Sequence, residues 1–302
     1  MLTALATAFE WQQIKVQSSL LGTFVFEEIR KMDVHQTGSA YNKNEYTPAI
    51  FLSYRPFKQY NWNLRAFYKR IFRMPTFNDL YYTDIGNISL KPEYTNQYNL
   101  GCQYSKDSEK KIVSRISFRV DAYYNEVTDK IVAIPKGNGQ YRWMMMNLGY
   151  VEIRGLDIST QIGWTLPYKM ILNTNLNYTF QKAQDFTNPM DNDPVSGSYG
   201  GQIAYTPWHN GSAIANLIWQ TWNFNYSFIY IGERYHNSSN ILANYEQPWY
   251  THDLTLGKTF QLKKVNCKIS AEVNNILNQY YDVILNYPMP GRNYKLILKI
   301  EL

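Results

Sequence analysis

The 302 residues are 45% apolar and 18% charged, with a net charge of 30 − 24 = +6, a composition that suits one large folded domain or two small ones and excludes a peptide or a disordered tail. No stretch approaches the roughly 18 uncharged apolar residues that a membrane-spanning helix needs. Lys and Arg stand singly or in pairs such as Lys110-Lys111 and Lys263-Lys264, so no basic stripe tracks a phosphate backbone, and nucleic acid is not an expected partner.

The opening MLTALATAFE lacks the leading basic residue and the longer apolar run of an export signal. From there on, segment after segment alternates with period 2, the mark of strands whose two faces meet different surroundings. The alternation predicts about thirteen strands, near residues 2–9, 13–29, 46–55, 61–73, 93–105, 111–133, 141–164, 169–183, 210–219, 223–232, 249–260, 264–277 and 292–302. In residues 112–124, Ile112, Ile116, Phe118, Val120 and Tyr124 share one face, and Arg115, Ser117, Arg119 and Asp121 the other. In 222–231, Trp222, Phe224, Tyr226, Phe228 and Tyr230 oppose Asn223, Asn225 and Ser227. Connectors alternate as well. Short ones at 10–12, 56–60, 106–110, 165–168, 220–222 and 261–263 interleave with long ones at 30–45, 74–92, 133–140, 183–209, 233–248 and 278–291.

Tight turns at one end and long loops at the other describe an all-β, antiparallel, up-and-down transmembrane β-barrel of the bacterial outer membrane, oily outside and hydrated within. A soluble β-sandwich also alternates. The predicted strands are longer than the five or six residues usual in soluble sheets. Aromatics gather at apolar strand ends, as at Trp164, Phe180, Trp219, Trp222, Tyr230 and Phe260, where a lipid–water interface favours them.

Residues 72–105, FRMPTFNDLYYTDIGNISLKPEYTNQYNLGCQYS, carry Arg73, Pro75, Thr76, Phe77, Asp79, Leu80 and Tyr81, then Gly86, Asn87, Leu90, Lys91, Pro92 and Glu93. This spacing resembles a segment of the TonB-dependent outer-membrane receptors, a family that includes siderophore and vitamin B12 receptors. IGERYHN at 231–237 resembles a strand end of the same family. Val273, Asn274, Asn275, Ile276, Leu277 and Tyr280, with Pro288 to Arg292, resemble its closing hairpin. Leu302 stands where the family more often ends in an aromatic, and the family's plug domain, TonB box and signal peptide have no counterpart in these residues. The resemblance therefore implies the C-terminal portion of a receptor barrel, about thirteen of its roughly 22 strands. The N-terminal strands and the plug are then missing partners.

The resemblance implies energised uptake of a scarce nutrient, a metal chelate such as a siderophore or cobalamin. The barrel sits among outer-membrane lipids and reaches the TonB complex only through the plug. A passive porin or surface-binding barrel shares the architecture. Ligand contacts are then expected in the loops, at Tyr81, Tyr82 and Asp84, at Tyr141, Arg142 and Trp143, and at Arg234 and Tyr235. Aromatic rings beside Arg suit a planar, anionic or metal-chelate ligand, although such rings also simply pack loops together. Arg65, Arg115, Arg119, Asp121, Glu152 and Arg154 are expected on wet faces, lining the lumen where a receptor meets its plug, or a solvated pore. Met144, Met145 and Met146 suit either a soft ligand contact or an apolar strand entry.

Chemistry-bearing constellations are sparse. Cys102 and Cys267 form no Cys-x-x-Cys pair and read as free thiols, and His35, His209, His236 and His252 are too far apart for a local metal-ligand pair. There is no Gly-x-Ser-x-Gly and no His-Glu-x-x-His, and His252 and Asp253 point to opposite faces. No catalysis, metal site or cofactor is expected.

Overall fold

The computed structural model describes residues 1–26, 43–82, 85–108, 112–135, 143–193, 197–262 and 265–301. Thirteen strands form one antiparallel sheet in chain order. They are β1 (Leu2–Trp11), β2 (Ile14–Val25), β3 (Lys43–Tyr54), β4 (Asn61–Arg73), β5 (Glu93–Asp107), β6 (Val113–Pro135), β7 (Trp143–Leu166), β8 (Met170–Asp185), β9 (His209–Trp219), β10 (Trp222–Ile231), β13 (Trp249–Leu262), β14 (Val265–Asn274) and β17 (Asn293–Glu301). Two small hairpins, β11 (Arg234–Tyr235) with β12 (Tyr245–Glu246) and β15 (Asp282–Ile284) with β16 (Tyr287–Pro288), and a one-turn helix α1 (Phe77–Tyr81) belong to the long loops. Among the described residues the other sheets are these two-stranded hairpins, too small to be the second layer of a sandwich, so the sandwich alternative falls.

Two of the short connectors are two-residue hairpin turns. Trp11 pairs with Ile14 and Trp219 with Trp222, which leaves two-residue turns with Gln12 and Gln220 at φ 53°, the left-handed backbone that such turns demand. β14 stops at Asn274, short of the sequence expectation, because Asn275 turns to φ 50° and leads the chain into the last loop. Both edge strands, β1 and β17, run from the long-loop end to the short-turn end.

Register carries the faces across the whole sheet. Ile14, Tyr54, Leu64, Cys102, Val120, Ile158, Tyr178, Gly211, Tyr230 and Tyr250 are successive cross-strand partners on the apolar face. On the other face the row is Lys15, Ser53, Arg65, Gly101, Asp121, Asp157, Thr179, Asn210, Ile231 and Trp249. That row starts beside the short turn of β2 and finishes at the loop end of β13, so the strands are tilted and sheared as barrel strands are.

Among the described residues, large apolar side chains stand exposed along the apolar face. Leu5, Leu20, Ile50, Leu100, Leu176, Leu254, Leu296 and Leu298 are exposed on it, and the accessible surface is 20232 Å² for 35.6 kDa. A water-soluble monomer of that mass exposes about 13,000 Å². Lipid is the medium in which such a face is stable. The two buried apolar clusters lie toward the loops, with Val127, Leu148, Val151, Ala183 and Ile203 in one and Leu80, Leu90 and Ile131 in the other.

One seam is short. β3 pairs with β4 over six residue pairs, from Ala49–Lys69 to Tyr54–Leu64, whereas β2–β3 has twelve and β4–β5 thirteen. The next residue of β3 is Pro48, which has no N–H to offer the ladder.

Candidate functional site

At the loop end, three described connections and the start of β7 converge over the hydrated face. Asn210, Ile231 and Trp249 are cross-strand partners on β9, β10 and β13 and make the floor of a 510 Å³ cavity. Tyr205 and Pro207 come from the β8–β9 loop, Arg234 from the β10–β13 loop, Val283 and Ile284 from the last loop, and Trp143 from the start of β7.

The rings are held in place by their neighbours. Trp143 lies 5.7 Å from Tyr205, centroid to centroid, and Trp249 stacks on Tyr281 at 4.3 Å. The Tyr205 hydroxyl accepts from the Leu285 N–H at 3.4 Å, its own N–H donates to the Tyr235 carbonyl, and burial pushes its phenol pKa up. Arg234 is only 3% exposed. Its guanidinium donates to the carbonyls of Asp282 at 2.6 Å and of Gln247 and Val283 at 3.3 Å each. Burial lowers its pKa, with Glu246 pulling the other way.

The Arg234 geometry changes its role: the arginine expected to meet ligand instead ties two loops together through their backbones. Its neighbour Tyr235 packs edge-on against Tyr245 within the β11–β12 hairpin. Tyr81 and Tyr82 are exposed and stand apart from the cavity, Tyr81 beside Phe77. Trp143 is in the cavity wall, and Asp84, Tyr141 and Arg142 lie outside the described residues. Tyr205, Trp249, Asn210 and the Val283-Ile284 pair were missed by sequence reasoning, for their neighbours in sequence give no sign that these separate strand ends and loops meet there.

The 73–93 motif is scaffolding. Thr76 caps α1 and Asp79 closes the capping box, while Arg73 reaches Asp79 at 3.4 Å and Glu93 at 3.5 Å. Glu93 also accepts the Ile131 N–H. Leu80 and Leu90 fill the second core cluster, and the Asn87 amide donates to the Met145 carbonyl. A Cβ on Gly86 would stand 2.7 Å from the Leu80 carbonyl oxygen, so this close approach requires glycine. Met145 packs on the Leu80–Leu90–Ile131 cluster and Met146 on the Val127–Val151 cluster, which is the strand-entry role. Asn275 of the last motif is likewise a corner: its side chain accepts from the Gln279 N–H and donates to the Gln279 carbonyl, and its own N–H donates to the Asp253 carboxylate.

On the hydrated face Arg65 and Asp121 make an ion pair at 2.9 Å that spans β5 over Gly101, where a Cβ would come within 2.1 Å of the Asp121 carboxylate. Similarly, Tyr123 lies across β7 at Gly155 and donates to Gln181 on β8. Arg119 and Asp157 line a 490 Å³ groove with Arg65, Asp121 and the ring pair Phe51–Phe67. Arg115 shares this face but pairs with exposed Asp107 near a short turn. Glu152 and Arg154 are a correction. Register puts them opposite Glu126 and Tyr124 on the same face as Leu156 and Ile158, where Arg154 pairs with Glu152 at 2.5 Å and covers the Tyr124 ring. β6 and β7, at 23 and 24 residues, outrun the apolar band of about 25 Å, so charged side chains are tolerated on their outer face near the loops. Among the described residues no group of three or more His, Cys, Asp or Glu is placed to hold a metal ion.

A family model for "TonB dependent receptor-like, beta-barrel" matches residues 8–276. The chain belongs to the TonB-dependent receptors. This is a family of outer-membrane proteins that bind small-molecule nutrients. A vitamin B12 transporter, BtuB of Photobacterium profundum, is 26% identical over 171 residues, 56% of this chain and 24% of that protein. Among solved TonB-dependent receptors, the ferric citrate transporter FecA superposes with a TM-score of 0.72 at 13% identity, covering 99% of this chain and 44% of that one. BauA, the ferric preacinetobactin receptor of Acinetobacter baumannii, gives 0.72 at 13% over 98% and 42%. The chain thus spans about a quarter of that curated relative and less than half of each solved receptor.

Proposed function

We propose that this chain is the C-terminal barrel segment of a receptor for TonB-energised uptake of a scarce nutrient, a metal chelate such as a siderophore or cobalamin, across the bacterial outer membrane. The observation that carries the reading is the cavity that the β8–β9, β10–β13 and β14–β17 connections build with the ends of their neighbouring strands, at the end of the sheet that carries the long connections. A capture site belongs at the end with long loops, the extracellular one in this architecture. Membership of the receptor family favours gated uptake over a passive porin.

Strand direction supports a segment of a larger barrel. With β1 and β17 running the same way, antiparallel closure calls for an odd number of further strands between them. A barrel of about 22 strands leaves nine beside the thirteen described. Arg65, Arg119, Asp121 and Asp157 then face a plug domain, through which TonB acts. The proposal is transport, with no bond-making step.

The test is uptake of labelled cyanocobalamin and ferric siderophores by cells whose own receptors are deleted and which carry the whole receptor, plug included, of which this chain is proposed to be the barrel segment. Accumulation that stops when TonB is removed is expected. Uptake indifferent to TonB, with liposome swelling in small sugars, means a passive pore instead.

A further inference from the structure

We propose that the short-turn rim of this wall binds anionic phospholipid, with headgroup phosphates held by Lys106, Lys169 and Lys258 beside interfacial indoles. The proposal rests on the membrane barrel of the uptake reading and not on transport itself. Lys and Arg are scattered along the sequence, and the hairpins gather them. The six short connectors, the four residues on either side of each and the last four of β17 hold 12 of the 30 Lys and Arg but 4 of the 24 Asp and Glu, 12 − 4 = +8, so the rest of the chain carries 18 − 20 = −2. Each Lys or Arg near a membrane surface adds to its attraction for anionic lipid.

The three lysines stand where the apolar face reaches the rim. Trp62 and Tyr104 are cross-strand partners on that face with rings 4.6 Å apart, and exposed Lys106 is the next residue of β5 on it, paired with Ile116. On β13 the Lys258 Nζ sits 4.7 Å from the centre of the Trp222 ring, and Trp222 pairs with Trp219 of β9. Met170, which follows exposed Lys169, is the partner of Trp219 on its other side. Indoles favour the depth at which headgroup meets acyl chain, and a lysine stem lies along apolar surface while its ammonium stays in water. A lipid phosphate at that depth meets the ammonium, and its chains lie on the exposed leucines of the apolar face. A zwitterionic headgroup brings its own cation, which the basic rim repels, so the favoured class is a lipid of net negative charge such as phosphatidylglycerol. The pull fades over about 10 Å at 0.1 M salt, well short of the apolar band of about 25 Å, so the preference belongs to the leaflet at the short turns.

The whole receptor, plug included, is placed in phosphatidylethanolamine vesicles with a trace of phosphatidylglycerol that bears a diazirine beside its headgroup, and photo-cross-linked peptides are mapped by mass spectrometry. The probe occupies both leaflets, so the two ends of the wall compete fairly. Cross-links on the peptides that carry Lys106, Lys169 and Lys258 are expected at least five-fold above those on the loop-end outer wall around Arg154 and Lys182. Unlabelled phosphatidylglycerol should displace them at least five-fold more effectively than added phosphatidylethanolamine. Lys106→Gln, Lys169→Gln and Lys258→Gln together should lower the yield at least five-fold, Arg at the same three positions should keep it, and Arg154→Gln with Lys182→Gln should leave it unchanged; circular dichroism reports whether each sheet is intact. Equal cross-linking at both ends, equal displacement by the two lipids, or a yield unmoved by the triple Gln variant in a folded sheet overturns the proposal. The assay involves neither TonB nor nutrient. Its failure therefore leaves the uptake reading standing, and failure of TonB-dependent uptake with the lipid preference intact removes only that reading.

Discussion

Gly101 shows how a single missing side chain organises the hydrated wall. With no Cβ in the way, Arg65 of β4 reaches Asp121 of β6 across the intervening strand. Gly101→Val should push the two charges apart and destabilise the sheet by about 1–3 kcal/mol, read as a lower urea midpoint in refolding into liposomes. In an Asp121→Ala background the same substitution should cost much less, since the pair is already gone; equal losses in both backgrounds would dismiss the pairing. Arg234 makes a second case. Arg234→Lys cannot reproduce three fixed donations, so limited proteolysis should open the 275–292 loop in the lysine variant nearly as fast as in Arg234→Ala. The sequence placed both arginines on functional ground and could not tell what each touches. Arg65 is legible as wet-facing from alternation alone, whereas Arg234 depends on a loop about 50 residues further on.

Among the elements, α1 is five residues long and is held by its cap and by Leu80. Thr76→Ala should release about 1 kcal/mol of that stability, seen as faster hydrogen exchange at Asp79 and Leu80 with the strands unaffected. Gln220→Gly relieves a left-handed backbone in the β9–β10 turn and should stabilise by up to about 1 kcal/mol; a loss would mean that the Gln side chain has a role its geometry does not reveal. The strands were readable because a half-lipid, half-water wall imposes period 2 on every one of them, and register then follows from turn length. Glu152 and Arg154 defeated that reading because their charge suggested the lumen, while counting in twos from Ile158 puts them outside. The cavity residues were not readable, since Trp143 and Trp249 open separate strands while Tyr205 and Val283 come from separate connections, with no shared period. The family motif is plain in sequence and turns out to brace a loop rather than to bind.

For the whole molecule, the parallel directions of β1 and β17 forbid antiparallel closure of these strands alone. Cysteines at Ala6 and Ile297, in a Cys102→Ser, Cys267→Ser background, should therefore form no intramolecular disulfide in the isolated chain under oxidation. Efficient cross-linking within one copy would contradict the odd-strand count. The abbreviated β3–β4 ladder has a different consequence. Where neighbouring ladders run twelve and thirteen pairs and this one stops at six beside Pro48, the wall has a built-in fault line. Drawn out of a bilayer by its carboxyl end, the sheet should peel hairpin by hairpin until it reaches that line, then part there at lower force and leave β1 to β3 behind as a remnant.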